Sequence, residues 1–537
     1  MRKLLRPLAV ALVLGTAIVG SAGGSPRADV REGGIFRVSL SFVDYVDPAL
    51  AYSLESWALL DTTCARLMAY PDKPPPQGLR LVPEVAADFP TISRNGKTYT
   101  FRLRSSFRFS DGTPVRANAF ARAINRTLAQ GIESPALQYT GDIAGAADVR
   151  AGRTPAAVGV IARGNTLVVR FTRPIGDFAA KTAMPFFCAV PPTLPSDPEG
   201  VGVFPAAGPY VVTEYRPGER VTIRRNRFYR GTRPQHVDGF DVDLRATGPS
   251  EVLDQVERGE MDWGLAIAPN YFEPGRGLAG KYGINRSQFF VRPGLILRHL
   301  VFNSARPLFG NNARLRRAVN FALNRRALAR TATNTPLSDH LTDQYLPPSL
   351  PGFSDAQIYP LEHPNLARAR SLTRGNLRGG KAVLYTNNSP QPLAIAQAAK
   401  QQLAEIGLDV EVKGLSGPAL LNRIYQPGEP WDLVLLLWAP DFVDPYTYLN
   451  GLFDPRVGSG GDVGRFDSST FNPLMRQAAR LQGPERYRVY GELDVRLARD
   501  GAPSAPISFF TEPTLVSRRV GCVVLRPALD LTAVCLK

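Results

Sequence analysis

The sequence predicts an α/β protein of more than one lobe, and three observations carry that reading. The chain has 537 residues, more than a single hydrophobic core accommodates, so two or three lobes are expected. From about Ile296 the pattern turns to strand, helix, strand: Lys381 to Thr386, then Gln391 to Ile406 with Ile395, Ala399 and Leu403 on one face, then Leu408 to Val412. That order implies a right-handed parallel crossover. Third, Asp432 to Trp438 is a short apolar run bounded by Pro430 and Pro440, the pattern of a buried strand rather than a helix. It ends in Trp438-Ala439-Pro440-Asp441-Phe442-Val443-Asp444-Pro445. An acidic, aromatic turn after a buried strand is where α/β proteins place ligands. The same two aspartates also suit capping of the next turn or helix.

The preceding elements follow in order. Gly33-Gly34 leads into a strand over Ile35 to Leu40, and Leu54 to Met68 has a helical pattern. Tyr99, Phe101 and Leu103 alternate with polar residues as in a half-buried strand. After the turn Ser110-Asp111-Gly112, Thr113 is placed as N-cap with Pro114 at the first helical position; Phe120, Ile124 and Leu128 form the apolar face. Thr166 to Phe171 is a strand, and Ala183 to Val190 is an apolar segment. Arg216-Pro217-Gly218-Glu219 joins Tyr210 to Tyr215 with Arg220 to Arg225 as a hairpin whose glycine accepts positive φ. Ser250 to Gly259 is a short helix, and Asn311 to Thr331 reads as one basic amphipathic helix with Leu315, Val319, Ala322 and Leu323 inward.

Composition narrows the function classes. Hydrophobic content of 44% and charged content of 21% fit a soluble globular protein. Lys+Arg 64 against Asp+Glu 47 gives +17, spread along the chain without a zinc-finger, RNP or basic-helix signature, so nucleic acid is not an expected partner. Arg2, Lys3 and Arg6, the apolar run Leu8 to Val19 and the small residues Gly20 to Ser25 read as a signal peptide over residues 1–28, with cleavage after Ala22 or Ala28. Ser21 stands where a lipoprotein box would carry cysteine, so a lipid anchor is not supported. Export permits disulfides among Cys64, Cys188, Cys522 and Cys535. The last two flank Pro527 and could close a short loop, with Cys64 and Cys188 remaining; three connectivities are open.

Enzymatic motifs fail on context. Gly275 to Lys281 and Gly375 to Lys381 fit GxxxxGK, but Tyr282 and Ala382 follow where Ser or Thr is required. Gly275, Gly277 and Gly280 satisfy GxGxxG without a preceding apolar strand. GxSxG, HExxH and Cys/His clusters are absent from the sequence, and His236, His299, His340 and His363 are scattered. Asp441 and Asp444 could suit a glycosidase, whose carboxylate separation the sequence does not fix. No cofactor or metal is expected.

An ordered set of segments resembles one family, the extracellular solute-binding proteins of ABC importers of the oligopeptide- and dipeptide-binding type, family 5. The segments are Val46-Asp47-Pro48, TYTFRLRSSFRFSDGTPVRANAFARAINRTL from Thr98 to Leu128, GPYVVTEYRPGERVTIRRNRFYRG from Gly208 to Gly231, Val301-Phe302-Asn303, Arg316 to Val319, Gln402 to Leu408 and Trp438 to Pro445. The resemblance implies an α/β, two-lobe periplasmic-binding-protein-like fold (class II, three-domain) with an interlobe cleft and hinge. Lobe I would comprise residues 29–66, 180–295 and 486–537, with an additional domain at 67–179, and lobe II residues 296–485. The chain would cross between lobes near Ile296 and again between Glu485 and Ser508.

It further implies a monomeric, periplasmic or extracellular subunit that captures an extended peptide and delivers it to a permease with a separate ATPase. Asp441, shortly after Trp438, matches the position that receives the peptide's α-ammonium, and a desolvated ammonium needs a carboxylate. Backbone around Leu437, Trp438 and Ala439, and around Ser53, Leu54 and Glu55, would edge the site, with Asp444 structural. Two positions depart from relatives: Leu435 stands where some place an arginine for the peptide carboxylate, and Ser416 where many place an aromatic residue. Relatives also take oligosaccharides or metal chelates.

Overall fold

The computed structural model describes residues 32–40, 42–245, 247–266, 277–333, 339–457, 462–527 and 529–537. The expected signal peptide and Gly275 of the rejected glycine-rich match lie outside the described residues.

Two long antiparallel strands, Phe289–Phe302 and Ser504–Val516, run through the middle of an eleven-stranded sheet. At about 3.3 Å per residue each reaches ~45 Å, enough to belong to two lobes at once. At one end Trp263–Leu265 pairs with the Thr514–Val516 segment and leads to Ile35–Ser39, Gly239–Asp243 and the Tyr210–Arg225 hairpin. At the other end Leu433–Trp438 pairs with Leu297 to Phe302, followed in parallel by Lys381–Asn387 and Asp409–Leu415. The expected crossover is present: helix Pro390–Ala404 joins the last two strands and buries Ile395, Ala399 and Leu403. Between the ends the ladder shifts register from Arg292 to Ile296. A Cβ on Gly294 would sit 1.4 Å from the Phe510 carbonyl oxygen, so only glycine permits this backbone approach.

The return crossing is expected between Glu485 and Ser508. With Phe289–Phe302 on one side, the strand Ser504–Val516 has Asp339–Leu341 on the other over Ser508 to Phe510 and Trp263–Leu265 over Thr514 to Val516, so its neighbour changes between Phe510 and Thr514. Helix Gly483–Arg496 packs with the second lobe, its Tyr490 and Leu493 sharing a core with Tyr345 and Phe453. Arg486, on the same helix, also faces Asp177 at 3.9 Å.

Two helix expectations are corrected. Residues 311–331 form two helices, Ala313–Ala322 and Arg325–Thr333. The Asn324 side chain accepts from the Ala327 N–H at 2.9 Å and so opens the second. The apolar face is as expected, with Leu315, Val319, Ala322 and Leu323 buried. Thr113 is not an N-cap. The Asp111 carboxylate takes both its N–H and its hydroxyl in a turn, and the helix begins later, at Ala117. That helix, Ala117–Leu128, buries Phe120, Ile124 and Leu128 against a separate four-stranded sheet built from Thr91–Ile92, Thr98–Arg102, Thr166–Arg170 and Val160–Arg163.

Long-range ties fix these parts. Arg126, at the end of the same helix, makes a bidentate ion pair at 2.8 and 2.5 Å with Asp47, which follows the first strand. The side chains of both are 1% exposed. Disulfides join Cys64 to Cys188 and Cys522 to Cys535. The Gly218 turn has the expected positive φ of 71°.

His299, on the long strand Phe289–Phe302, is buried and lies 3.0 Å from the Ser504 hydroxyl through Nδ1. Burial pulls its pKa down to about 3, while an unfolded histidine titrates near ~6.5. Between those values only the unfolded chain binds the proton. The contribution is complete above the unfolded pKa and is lost as pH falls through the window. Relative to wild type, His299→Gln is expected to gain about 2–3 kcal/mol between pH 7 and 4.5. Denaturant titrations at several pH values measure this, and a pH-independent difference would refute it.

Candidate ligand-binding cleft

Three walls line an open-mouthed cavity of about 460 Å3 between the lobes. The first lobe contributes the start of helix Leu54–Thr63, with Leu54, Glu55 and Trp57 on the lining. Its position is set by Asp44, whose carboxylate accepts from the Tyr52 and Ser53 amides at 2.7 and 3.0 Å and from the Ser56 hydroxyl. Ser53 N-caps the helix through the Ser56 amide. The second lobe contributes the turn Ala439 to Val443, where Pro440 stops the strand Leu433–Trp438 and the next helix begins at Pro445. The two crossover strands supply the floor, including Arg292 and Glu512.

Asp441 is the acidic focus. Tyr139, from the opposite side of the cleft, donates its hydroxyl to Asp441 Oδ2 at 2.5 Å, and the Tyr52 phenol lies near enough to favour the ionised carboxylate. Burial pushes the Asp441 carboxyl above its ordinary range, and the two phenols only partly oppose this. Burial and the Asp441 charge push both phenols up, so they stay protonated at neutral pH. An aromatic cluster surrounds the group: Phe442 packs edge-on against Tyr139 at 6.0 Å, and Trp57 against Phe186 at 5.6 Å. Lys181, paired with Asp177 at 2.8 Å, places its ammonium over the rings of Tyr139, Phe442 and Tyr446.

Asp444 is structural, as expected. It caps helix Pro445–Phe453 through the Tyr446 amide at 2.8 Å and binds Arg486 in a bidentate pair at 3.1 and 2.7 Å. Arg486 also faces Asp177 at 3.9 Å, tying the turn to the inserted domain.

The expected site residues divide. Leu54, Glu55, Ala439 and Asp441 line the cavity, whereas Ser53, Leu437 and Trp438 do not. Ser53 is consumed by capping. Leu437 turns outward and is 56% exposed, because the strand is buried only over its first half. The Trp438 indole lies behind the turn, against Gly451 of the following helix. Leu435 is packed in the second lobe's core, and Ser416 is an exposed residue at the head of helix Gly417–Ile424. Sequence reading missed Tyr52, Tyr139, Arg292 and Glu512.

Among the described residues, one cluster has carboxylates close enough for a metal ion: Asp61, Asp72 and Asp530. Three guanidiniums already share it. Arg66, Arg233 and Arg526 reach Asp61 at 2.7, 2.8 and 2.8 Å, the last two also facing Asp72. Burial works against the Asp61 charge, but these cations outweigh it and hold its pKa well down. A divalent ion there would meet three positive charges. Among the described residues no histidine or cysteine lines the cleft.

Two lobes joined by paired crossover strands around a cavity define a cleft-type binding protein. The model for "Bacterial extracellular solute-binding proteins, family 5 Middle" matches residues 80–460, and the chain belongs to that family. It is 24% identical over 512 residues to the probable D,D-dipeptide-binding periplasmic protein DdpA of Escherichia coli K12, covering 93% of this chain and 92% of that protein. To the oligopeptide-binding protein OppA of Bacillus subtilis 168 it is 23% identical over 455 residues, 81% and 80% of the two chains. The solved structure of clavulanic acid biosynthesis oligopeptide binding protein 2 superposes with a TM-score of 0.83 at 24% identity, covering 94% of this chain and 96% of that one. No described helix is long and apolar enough to cross a membrane.

Proposed function

We propose that this chain is the exported, ligand-capturing subunit of an ABC importer: a monomer that holds a peptide in extended form between its lobes and hands it to a membrane permease driven by a separate ATPase. The observation that carries the reading is Asp441, a carboxylate on the cleft wall that accepts from the Tyr139 hydroxyl with the Tyr52 phenol nearby. A peptide α-ammonium would replace that contact with a charge-assisted bond. The peptide-binding names of DdpA and of the clavulanic acid relative point the same way. The lobes close by bending at the crossover near Gly294, and ligand favours the closed form by its differential affinity for the two states.

Native mass spectrometry of ligand carried through purification, followed by thermal shift with peptide mixtures, tests the proposal. Free-amine peptides should raise the melting temperature, since saturation at about 100 times Kd contributes about 2.7 kcal/mol. N-acetylated peptides should leave it unchanged. A carried oligosaccharide or metal chelate, or hydrolysis of a bound oligomer, would overturn the reading.

A further inference from the structure

Beside the cavity, the turn that carries Asp441 docks on the first-lobe side through an apolar contact and a charged one. Phe442 is 4% exposed, and it sits in the core of the inserted domain with Tyr139 and Phe178 instead of in the core of its own lobe. Tyr446 packs against the same cluster. Nearby, Asp177 pairs with Lys181 through Oδ1 at 2.8 Å. Its Oδ2 is buried without a hydrogen-bond partner and faces Arg486 Nη2 at 3.9 Å. Arg486 comes from helix Gly483–Arg496 and already holds Asp444. Each acid is therefore paired on its own side, Asp177 with Lys181 and Asp444 with Arg486. Parting the two sides orphans no charge, and an orphaned charge is what makes breaking a buried ion pair so costly. Docking is favoured by the apolar contact, since Phe442 leaves water only when the sides meet.

Gly176 stands where the two sides come closest. The three nearest atoms that a Cβ there would meet are the carbonyl oxygens of Leu481 and Ala479 and Nη1 of Arg486, all across the contact. The Ala479 oxygen would be 2.5 Å away, well inside van der Waals contact. The backbone of Gly176 is not left-handed, so the docked neighbour, and not local conformation, excludes a side chain. We propose that Gly176, Asp177 and Arg486 are positioning residues which, with Phe442, latch the lobes together through the chain's own contacts. The closed arrangement then forms before ligand arrives, and ligand selects it instead of having to bring it about. The latch rests on the two-lobe cleft and is independent of what the cleft binds.

For the test, the purified chain is refolded from denaturant with its disulfides intact, and native mass spectrometry confirms that no ligand remains. Small-angle X-ray scattering then reads its shape. Free wild type should scatter as the closed arrangement described above. Gly176→Ala should wedge the lobes apart and give a larger radius of gyration with an unchanged circular dichroism spectrum. Phe442→Ala removes the apolar contact without a clash, should expand the free protein likewise, and serves as the second variant. Phe442 also lines the cavity, so its variant is read by shape alone. If Gly176→Ala lowers the closed fraction to about a tenth, its affinity for a random tripeptide mixture with free N-termini should fall about tenfold. A free wild type that is already extended overturns the latch, as do variants that stay as compact as wild type, with or without a lower melting temperature. Tripeptides that bind neither wild type nor variant overturn the peptide reading, while the scattering result still decides the latch.

Discussion

Arg126→Met is expected to destabilise the folded chain by about 3–5 kcal/mol, the usual loss when one partner of a buried ion pair is removed. Each carboxylate oxygen of Asp47 takes a guanidinium N–H, and each also takes a backbone amide, from Ala49 and Val201 at 2.9 Å. Arg126 spends its Nε on the Pro195 carbonyl at 2.8 Å. Without the guanidinium, a carboxylate 1% exposed keeps two amides and no cation, and desolvation then dominates. Urea unfolding at pH 7 measures the loss; less than about 1 kcal/mol would show that the site relaxes or hydrates. Asp47→Leu combined with Arg126→Met should recover part of the stability, since removing both charges removes the uncompensated one.

Asp441→Asn is expected to weaken binding of free-amine peptides by about 100-fold or more, the effect of truncating one partner of a buried charged contact. Folding should survive, because the amide oxygen still accepts from the Tyr139 hydroxyl and a carboxyl that burial disfavours has been neutralised. Its pH signature separates a binding role from a structural one. The raised pKa means that the ligand-free protein holds a proton on Asp441 above the ordinary aspartate value of about 3.9. An ammonium requires the ionised form. Affinity should therefore rise with pH through that window and level off above it. Over the same window the ligand-free protein loses stability, since a raised carboxyl favours the protonated fold. Asp441→Asn should flatten the affinity profile. An unchanged Kd, or an unchanged slope, removes Asp441 from the ligand's contacts.

How much of this was legible in the sequence depended on whether the signal was local. The Trp438 to Pro445 turn could be read because prolines and aromatics punctuate it within a few residues. The parallel crossover was likewise written into the alternation of Leu408, Val410 and Val412. Tyr139 was not readable as a partner of Asp441, being 302 residues away, nor was Arg292 as a partner of Glu512, 220 away. Both pairings are products of lobe apposition and strand register, and no spacing rule reaches so far. The return crossing is hidden for the same reason. Ser504–Val516 reads as one continuous apolar strand, and only its change of neighbours reveals where it passes from one lobe to the other. The single helix drawn over 311–331 failed differently. Asn324 was a local cap signal, but the apolar periodicity continued across it, and the stronger pattern masked the weaker.

Both disulfides lie on one side of the crossover. Cys64–Cys188 pins the helix that carries Leu54 and Glu55 to the segment near Phe186, and Cys522–Cys535 pins the C-terminal strands beside the first sheet. The lobe that presents Asp441 has no sulfur rivet among its described residues. One jaw of the clamp is thus covalently braced and the other is held by packing and charge alone. A swing in the redox state of the surroundings would therefore slacken only the braced jaw, the one that offers Tyr52, and leave the Asp441 jaw with the grip it already had.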